Sequence, residues 1–438
     1  MEKTKLKKSN LPLSGLASEL YREIAKIPVV DAHEHLPREK ERCDKKIDVT
    51  TLFSHYCKGD LEASGLLQGP EQEEFFDTSK PLMKRWKKAK PYLEAIRYGS
   101  YAYPAFAYVR DILGIDDINE KTVEVISKRL QADNQKGIYK KIIQDICNIE
   151  CSIQCKTDEV ENDQDFFYYL CLDKATNINS KEDIIAFEKT NDVCIYKLKD
   201  YVNALRSFVA KQKKAGSVGL KIAAAYDRSI EFPEVPASEA EKIFAKLRAK
   251  VSGVISTAET EMLGNYLIRR EIEACIDNNL PVVIHTGYQA GNRNDIRNAR
   301  AIHLWSLLAS YPKARFDLFH GSFPYVEDMV VLGKYFENVS LNMCWMHIMS
   351  PEISRRALSE WLDAVPVTKI FAFGGDYSVP EKIYGHLQLA RMNVAVVLAD
   401  KILQGRMVES NALRIARLVF NENPKQWYKM NKTFLFQL

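Results

Sequence analysis

The sequence predicts an α/β protein, a (β/α)8 TIM barrel with a helical insertion after strand one. Three observations support this fold. Short apolar runs recur along the chain, and from residue 215 onward each is followed by a loop and a segment with helical periodicity. The runs are apolar almost throughout, as expected of parallel strands that are buried on both faces. No glycine-rich phosphate loop follows them, which argues against an open doubly wound sheet.

Eight runs have the composition of strands. The first three are IPVVDAH (27–33), IECSIQC (149–155) and FFYYLCL (166–172). The other five are SVGLKIA (217–223), PVVIHTG (281–287), RFDLFHG (315–321), NVSLNMC (338–344) and KIFAFGGD (369–376). Successive gaps of 35, 22 and 34 residues separate His285, His320, Asn342 and Asp376. Each gap fits one strand, one loop and one helix.

The chain is longer than the barrel requires. A bare barrel needs about 250 residues, whereas this chain has 438. Most of the surplus lies at 36–145, where aromatic and charged residues recur at helical spacing. We expect residues 36–145 to form a helical insertion that covers the mouth of the barrel, within a single domain spanning 1–438.

Composition and charge exclude several classes of protein. A net charge of +4 argues against nucleic acid or an acidic membrane as the main partner. No apolar run is long enough to span a bilayer, and the basic N-terminal stretch lacks the apolar core of a signal peptide. We therefore expect a cytoplasmic protein with a small-molecule substrate; whether it is a homo-oligomer is left open. The basic run KRWKKAK (84–90) is interpreted as a solvated helix face.

The nine cysteines are scattered and form no CxxC pair, so reduced thiols are expected. Cys147, Cys151 and Cys155 recur every four residues, a spacing that matches no ferredoxin motif. They are interpreted as thiols packed in the core.

Residues that can bind a metal end most of the predicted strands, where barrel enzymes carry their functional groups. They are His33, His35, Lys221, His285, His320 and Asp376. Side chains two residues apart on a strand share a face, so His33 and His35 should both point inward and Glu34 away. Asp31 lies deeper on the face of the two histidines. The alternatives are a hydrogen-bonded histidine pair, satisfied interior histidines and a helix cap at Asp376.

The set predicts one or two divalent metal ions, with zinc favoured and manganese, iron, nickel or cobalt compatible. Lys221 leaves three states open, because an ammonium group repels a cation. It is carbamylated to an anionic ligand, loses its proton, or stands back and pairs with substrate. A lysine held by an acidic neighbour is the structural alternative.

With these strand-end residues, the chain resembles the amidohydrolase superfamily over residues 25–430. HGSFPYVEDMVVLGKYFENVSLNM, FAFGGDYS, YGHLQLAR and GLKIAAAYDR resemble its branch of nodulin-type amidohydrolases, decarboxylases and uronate isomerases. The resemblance implies that His33, His35, His285 and Asp376 surround one metal. It further implies that His320 binds a second metal or polarises the substrate, and that a carbamylated Lys221 would bridge two metals. Many members of the branch lack that lysine and use one metal.

The predicted reaction is hydrolysis of an amide or other C–N bond in a small, carboxylate-bearing substrate. A zinc-bound water has a pKa of about 7. Asp376 is placed to take its proton and return it to the leaving group, while His320 or the metal polarises the carbonyl. The alternatives are uronate isomerisation or decarboxylation, and a silent barrel that binds a partner.

Candidate substrate residues follow the strands, where barrel loops vary. They are Tyr226, Arg228, Gln289 and Tyr325, together with Asn292, Arg293 and Trp345. Arg228 and Lys221 suggest a carboxylate on the substrate. Arg97, Tyr98 and Tyr101 are interpreted mainly as core of the insertion, with a lid over the barrel mouth as the alternative.

Overall fold

The computed structural model describes residues 13, 15–156, 164–249 and 255–430, so most of the basic N-terminal stretch lies outside the described residues. Eight strands form one sheet in chain order, and every hydrogen-bonded pair is parallel. The strands are β1 (Val29–Glu34), β2 (Ile149–Lys156), β3 (Phe167–Leu172), β4 (Ser217–Ile222), β5 (Val282–His285), β6 (Phe316–Phe319), β7 (Val339–Asn342) and β8 (Ile370–Phe371). All eight predicted strands are present, and the predicted fold class is confirmed.

The barrel closes between β1 and the segment that follows β8. Ala32 N donates to Phe373 O (3.1 Å), Asp376 N donates to His33 O (2.8 Å), and His35 N donates to Tyr377 O (2.9 Å). β8 is shorter than the predicted 369–376 because Ala372 N bonds to Val419 O instead of continuing a regular ladder. The closure places Asp376 directly beside His33 of β1 and His35, the residue that follows this strand.

Helices surround the barrel. Helix α1 (Gly15–Ile24) precedes β1. The predicted insertion contains α2 (Glu39–Cys43), α3 (Cys57–Ala63), α4 (Pro70–Phe76), α5 (Leu82–Ile96), α6 (Tyr103–Asp111) and α7 (Val123–Asp133), and a π-helical turn (Lys140–Ile146) leads into β2. Later helices are α8 (Lys181–Asn191), α9 (Leu198–Lys214), α10 (Ala237–Ala249), α11 (Thr257–Asp277), α12 (Trp305–Ser310), α13 (Val326–Tyr335), α14 (Met346–Met349), α15 (Pro351–Ala364), α16 (Pro380–Leu403), α17 (Glu409–Arg417) and α18 (Asn423–Tyr428).

Polar contacts anchor the insertion to α16, the helix that follows Asp376. The guanidinium of Arg42 pairs with Glu381 at 2.8 Å, and both side chains are buried. Lys382 Nζ donates to the carbonyl of Ser54 at 3.1 Å. The insertion is therefore fixed to the same helix that begins just after the last strand-end residue. Among the described residues, no helix is both long and apolar enough to span a bilayer.

A buried carboxyl group lies on β6, one layer below the strand ends. Asp317 is fully buried and accepts hydrogen bonds from Tyr428, Asn342 and Ser340. Burial raises its pKa from 3.8 to about 7, although the three donors act in the opposite direction. Asn342 in turn accepts from Cys344 N, so this network connects α18 to the loop after β7.

Asp317→Asn should flatten the pH dependence of stability. The carboxyl binds its proton more tightly in the folded state, so stability falls as the pH rises from about 4 to about 7. At pH 8 the variant should be more stable than wild type by up to about 4 kcal/mol, and the advantage should shrink by pH 5. Melting temperatures at the two pH values test this. An equal difference at both would contradict it.

Candidate metal centre

Four of the six predicted strand-end residues meet at the carboxyl end of the barrel, where His33, His35 and His320 face the Asp376 carboxylate. Its Oδ1 lies 3.4 Å from His33 Nε2 and 3.2 Å from His35 Nε2. Its Oδ2 lies 3.9 Å from His320 Nε2. Asp376 has a left-handed backbone (φ 58°), which turns the carboxylate towards the histidines. One carboxylate oxygen therefore faces His33 and His35, and the other faces His320.

The Asp376 carboxylate is ionised. Burial alone would raise its pKa, but the neighbouring His33 and His35 imidazoles and the Lys221 ammonium hold the pKa well below its usual range. An ionised carboxylate in this position can bind a cation or accept a proton.

Lys221 is buried and lies against His33 of β1. Its Nζ is 2.6 Å from His33 Nε2 and 5.5 Å from the centre of the Phe319 ring. The amine donates to His33 rather than resting in an acidic pocket. A metal that uses His33 Nε2 would therefore require Lys221 to withdraw, lose its proton or be carbamylated.

The buried imidazoles are neutral, as metal ligands must be. Burial is the largest cause in each case. It lowers the pKa of His320 to about 4, and it lowers the pKa values of His33 and His285 well below the usual range, with Lys221 and neighbouring imidazoles adding to the effect.

Backbone carbonyls fix the tautomers of two histidines. His320 Nδ1 donates to Cys344 O at 3.0 Å, so its Nε2 carries the lone pair. That Nε2 is buried and has no hydrogen-bond partner among the described residues. His285 Nε2 donates to Tyr288 O at 3.0 Å, and its ring lies 4.4 Å from that of His320. His285 is thus beside the centre but has one nitrogen engaged, and its predicted role as a ligand stays a prediction.

Two buried thiols also reach the centre, and sequence reasoning missed both as ligands. Cys155 forms a three-donor group with His33 and His35, and Cys344 forms one with His320 and Asp376. In each group the candidate ligand atoms lie within 4.8 Å of one another. Cys155, interpreted above as a packed thiol, could have been singled out only because it is the penultimate residue of β2. This set of imidazole, carboxylate and thiol groups, with an unsatisfied buried His320 Nε2, fits a divalent metal ion.

Glu34, which was predicted to point away from the metal, is fully buried in the seam between β1 and the segment that follows β8. Its Oε2 accepts from Tyr377 N, and Asp31 Oδ1 accepts from Gly375 N at 3.0 Å. Burial raises the pKa of Asp31 to about 6 and that of Glu34 well above its usual range, so the pair shares a proton. The two carboxyl groups hold the residues on both sides of Asp376.

Substitutions of His35 and of its neighbour Glu34 should have different effects on metal affinity. His35→Ala removes a donor that faces Asp376 and should lower metal affinity at least about tenfold. Glu34→Gln keeps an acceptor for Tyr377 N and a donor for Asp31, so it should bind metal as wild type does. Isothermal titration with zinc measures both. Retained binding in His35→Ala with loss in Glu34→Gln would overturn the strand register.

A cavity of about 550 Å³ adjoins the centre through Tyr56, Trp345 and Ser378, while none of the six strand-end residues lines it. Its walls combine the insertion with the loops after β5, β7 and β8. Tyr56 stacks on Trp345 at 4.3 Å, and its hydroxyl donates to Asp376 O at 2.7 Å. Residues that line the cavity and that the sequence did not single out include Ser54, His55, Lys58, Asp60, Gln68 and Ser378. Nothing in the residue pattern of the insertion distinguishes the first five of these from its core.

The predicted substrate residues divide into two groups. The Tyr226 ring lies 4.8 Å from that of His285, at the edge of the centre. Gln289 is buried and donates to Ala225 O at 2.9 Å, which joins the loops after β4 and β5. Arg228 does not reach the centre, because its guanidinium binds Asn265 and lies over Phe232. The guanidinium of Arg300 lies 4.6 Å from the centre of the Tyr325 ring, and Tyr325 does not line the cavity.

The remaining candidate substrate and lid residues differ in whether they line the cavity. Trp345 and Asn292 line the cavity, and Asn292 Nδ2 donates to Glu62 of α3 at 2.6 Å, whereas Arg293 is exposed. Of the possible lid residues, Tyr101 stacks beside Tyr56 in the cavity wall. Arg97 pairs with Asp117 inside the insertion, and Tyr98 is 93% exposed. Only Tyr101 could touch a bound substrate.

No family model matches the chain. Among curated proteins it is similar to Protein fluG of Emericella nidulans, with 25% identity over 224 residues. That match covers 49% of this chain and 26% of the relative, so the chain spans about a quarter of that protein.

Solved structures share the fold over nearly the whole chain. Glucuronate isomerase from Caulobacter crescentus has a TM-score of 0.79 at 16% identity, covering 99% of this chain and 97% of that one. Uronate isomerase from Thermotoga maritima has a TM-score of 0.77 at 16% identity, covering 94% of this chain and 97% of that one. A provisionally assigned metal-dependent hydrolase from Lactobacillus casei has a TM-score of 0.63 at 15% identity, covering 94% of this chain and 97% of that one. The predicted resemblance is confirmed at the level of the fold, which this chain shares with enzymes.

Proposed function

We propose that this chain is a metal-dependent hydrolase that cleaves an amide or other C–N bond of a small, carboxylate-bearing substrate. The observation that carries the proposal is the position of Asp376. Its ionised carboxylate lies between three imidazoles, and a cavity large enough for a small molecule adjoins it through Tyr56, whose hydroxyl donates to Asp376 O. A carboxylate held in this way is suited to accept a proton from water and return it to a leaving amine.

A divalent metal, when bound, polarises an oxygen-bearing group and makes water more acidic at neutral pH. His33, His35, His320 and Asp376 would hold it, with His285 and Lys221 beside them. The Asp376 carboxylate would also hold the proton that moves between nucleophile and leaving group. The Tyr56 hydroxyl fixes the Asp376 carbonyl, and the stacked Tyr56 and Trp345 rings exclude water from one wall.

For the substrate's carboxylate we propose a cation other than Arg228 and Lys221, the two that the sequence suggested. Arg228 is engaged with Asn265, whereas Lys58 of α3 lines the cavity and is exposed. Lys58 is therefore the group we assign to a substrate carboxylate. As a point charge it would attract the anion without fixing its orientation.

Isomerisation of a uronate is the second candidate. The likeness to two uronate isomerases extends over 94% and 99% of this chain, which takes in the insertion as well as the barrel. A reaction of that kind also needs a polarised carbonyl beside a base, so the same centre would serve it.

A substrate panel on metal-loaded protein separates the two candidates. Protein supplied with Zn²⁺, Mn²⁺ or Co²⁺ is assayed with dipeptides, N-acyl amino acids and γ-glutamyl amides for release of amine, and with uronates for formation of a ketose. Release of amine that depends on added metal supports the hydrolase. Turnover of uronates alone would replace it with the second candidate, and protein that binds no metal would rule out both.

A further inference from the structure

The two thiols of the centre occupy matching positions on opposite sides of Asp376. Cys155 is next to last in β2, beside His33 and His35, which face Asp376 Oδ1. Cys344 lies two residues after the end of β7, in one donor group with His320 and Asp376, and His320 faces Oδ2. Each oxygen of the carboxylate thus faces imidazole nitrogen, and each of the two histidine groups has a thiol within 4.8 Å of its nitrogens.

The position of Cys344 is set by its own backbone. Its N–H donates to Asn342 Oδ1 at 2.9 Å, and its carbonyl accepts from His320 Nδ1 at 3.0 Å. One residue therefore orients His320 and presents a sulfur atom beside that ring. A Cβ atom on Gly374 would lie 2.8 Å from Cys344 Sγ, so only glycine at 374 leaves room for the thiol.

We propose that the thiolates of Cys155 and Cys344 are metal ligands of this centre, Cys155 beside the histidines that face Oδ1 and Cys344 beside the histidine that faces Oδ2; the inference rests on the metal of the proposed function. On one side the donors would be His33, His35 and Cys155, and on the other His320, Cys344 and Asp376. Each set has three protein donors, and three protein ligands with a fourth position for water or substrate are typical of catalytic zinc.

Thiolate ligands determine the class of metal. Sulfur favours Zn²⁺, Cd²⁺ or Co²⁺ over Mn²⁺ or Mg²⁺, which prefer oxygen. Burial keeps both thiols protonated in the absence of metal. On binding, each S–H bond is replaced by a sulfur–metal bond, and one proton per thiol leaves to the buffer.

The test is titration of reduced, metal-free full-length protein with Cd²⁺, monitored by the ultraviolet thiolate-to-metal charge-transfer band. Cys194 is exposed, so every protein carries Cys194→Ser. Cys155→Ala and Cys344→Ala should each lower the band by about half and weaken Zn²⁺ binding at least about tenfold. The matched control is Cys147→Ala, a buried thiol outside both donor groups, which should change neither. Melting without metal confirms that each variant folds, and serine variants replace any that does not.

The outcomes distinguish this inference from the proposed function. Stoichiometric Cd²⁺ binding without a thiolate band would overturn thiol ligation and leave the metal centre standing. Loss of band in only one of the two variants would overturn the two-sided arrangement. If equilibrium dialysis shows no bound Cd²⁺ or Zn²⁺, the proposed function fails as well.

Discussion

Asp376→Asn is expected to lower turnover by about 10² to 10⁴-fold while the protein remains folded. Asparagine has the same shape and keeps an oxygen, but it can neither carry the negative charge nor accept the proton. Asparagine is also among the few residues that tolerate the left-handed backbone (φ 58°) at this position. The backbone bonds from Asp376 N to His33 O and from the Tyr56 hydroxyl to Asp376 O should therefore survive.

Kinetics and metal analysis together test that expectation. The variant is compared with wild type for kcat, KM and bound metal on the substrate that the panel identifies. Asp277→Asn serves as a matched control, because Asp277 is exposed and pairs with Arg206. Because the pKa of Asp376 lies well below its usual range, its carboxylate stays ionised at neutral pH. Wild-type activity should therefore show no decrease near neutral pH that is caused by protonation of Asp376. Activity in Asp376→Asn comparable to that of the control would remove this carboxylate from the mechanism.

The barrel and the principal residues of its centre could be predicted because they depend on local pattern. Apolar runs ending in polar residues mark parallel strands, and the two-residue period places His33 and His35 on one face. The structure brings them within 3.4 Å of Asp376, more than 300 residues away in the chain. No pairing information was needed, because all parallel strands of a barrel end at the same rim.

Features that depend on how segments pack could not be predicted in the same way. Arg228 follows β4 as predicted, yet Asn265 on α11 holds its guanidinium away from the centre. Cys155 looked like one of three equivalent thiols until the pairing of β2 with β1 placed it beside the histidines. Glu34 was expected to point away, but the closure of the barrel with the segment after β8 buries it.

Gly375→Ala should destabilise the protein and weaken metal binding together. A Cβ atom on residue 375 would overlap Glu34 Oε1 and lie 2.9 Å from Glu34 Cδ. Glu34 has little freedom to move, because its Oε2 accepts from Tyr377 N and it shares a proton with Asp31. Overpacking of a buried site costs about 1–3 kcal/mol, and relief requires the chain around Asp376 to shift. We expect a lower melting temperature and a loss of zinc affinity of at least about tenfold.

A double-variant cycle assigns that loss to the Glu34 contact. Glu34→Ala alone leaves Tyr377 N without its acceptor and costs about 1–3 kcal/mol, but it empties the space that the new methyl group needs. Gly375→Ala should therefore cost much less in a Glu34→Ala background than in wild type, a coupling that residues in contact show and distant residues do not. Equal costs in the two backgrounds would mean that Glu34 does not determine the requirement for glycine. The nearness of Glu34 to Gly375 would then have no part in positioning Asp376.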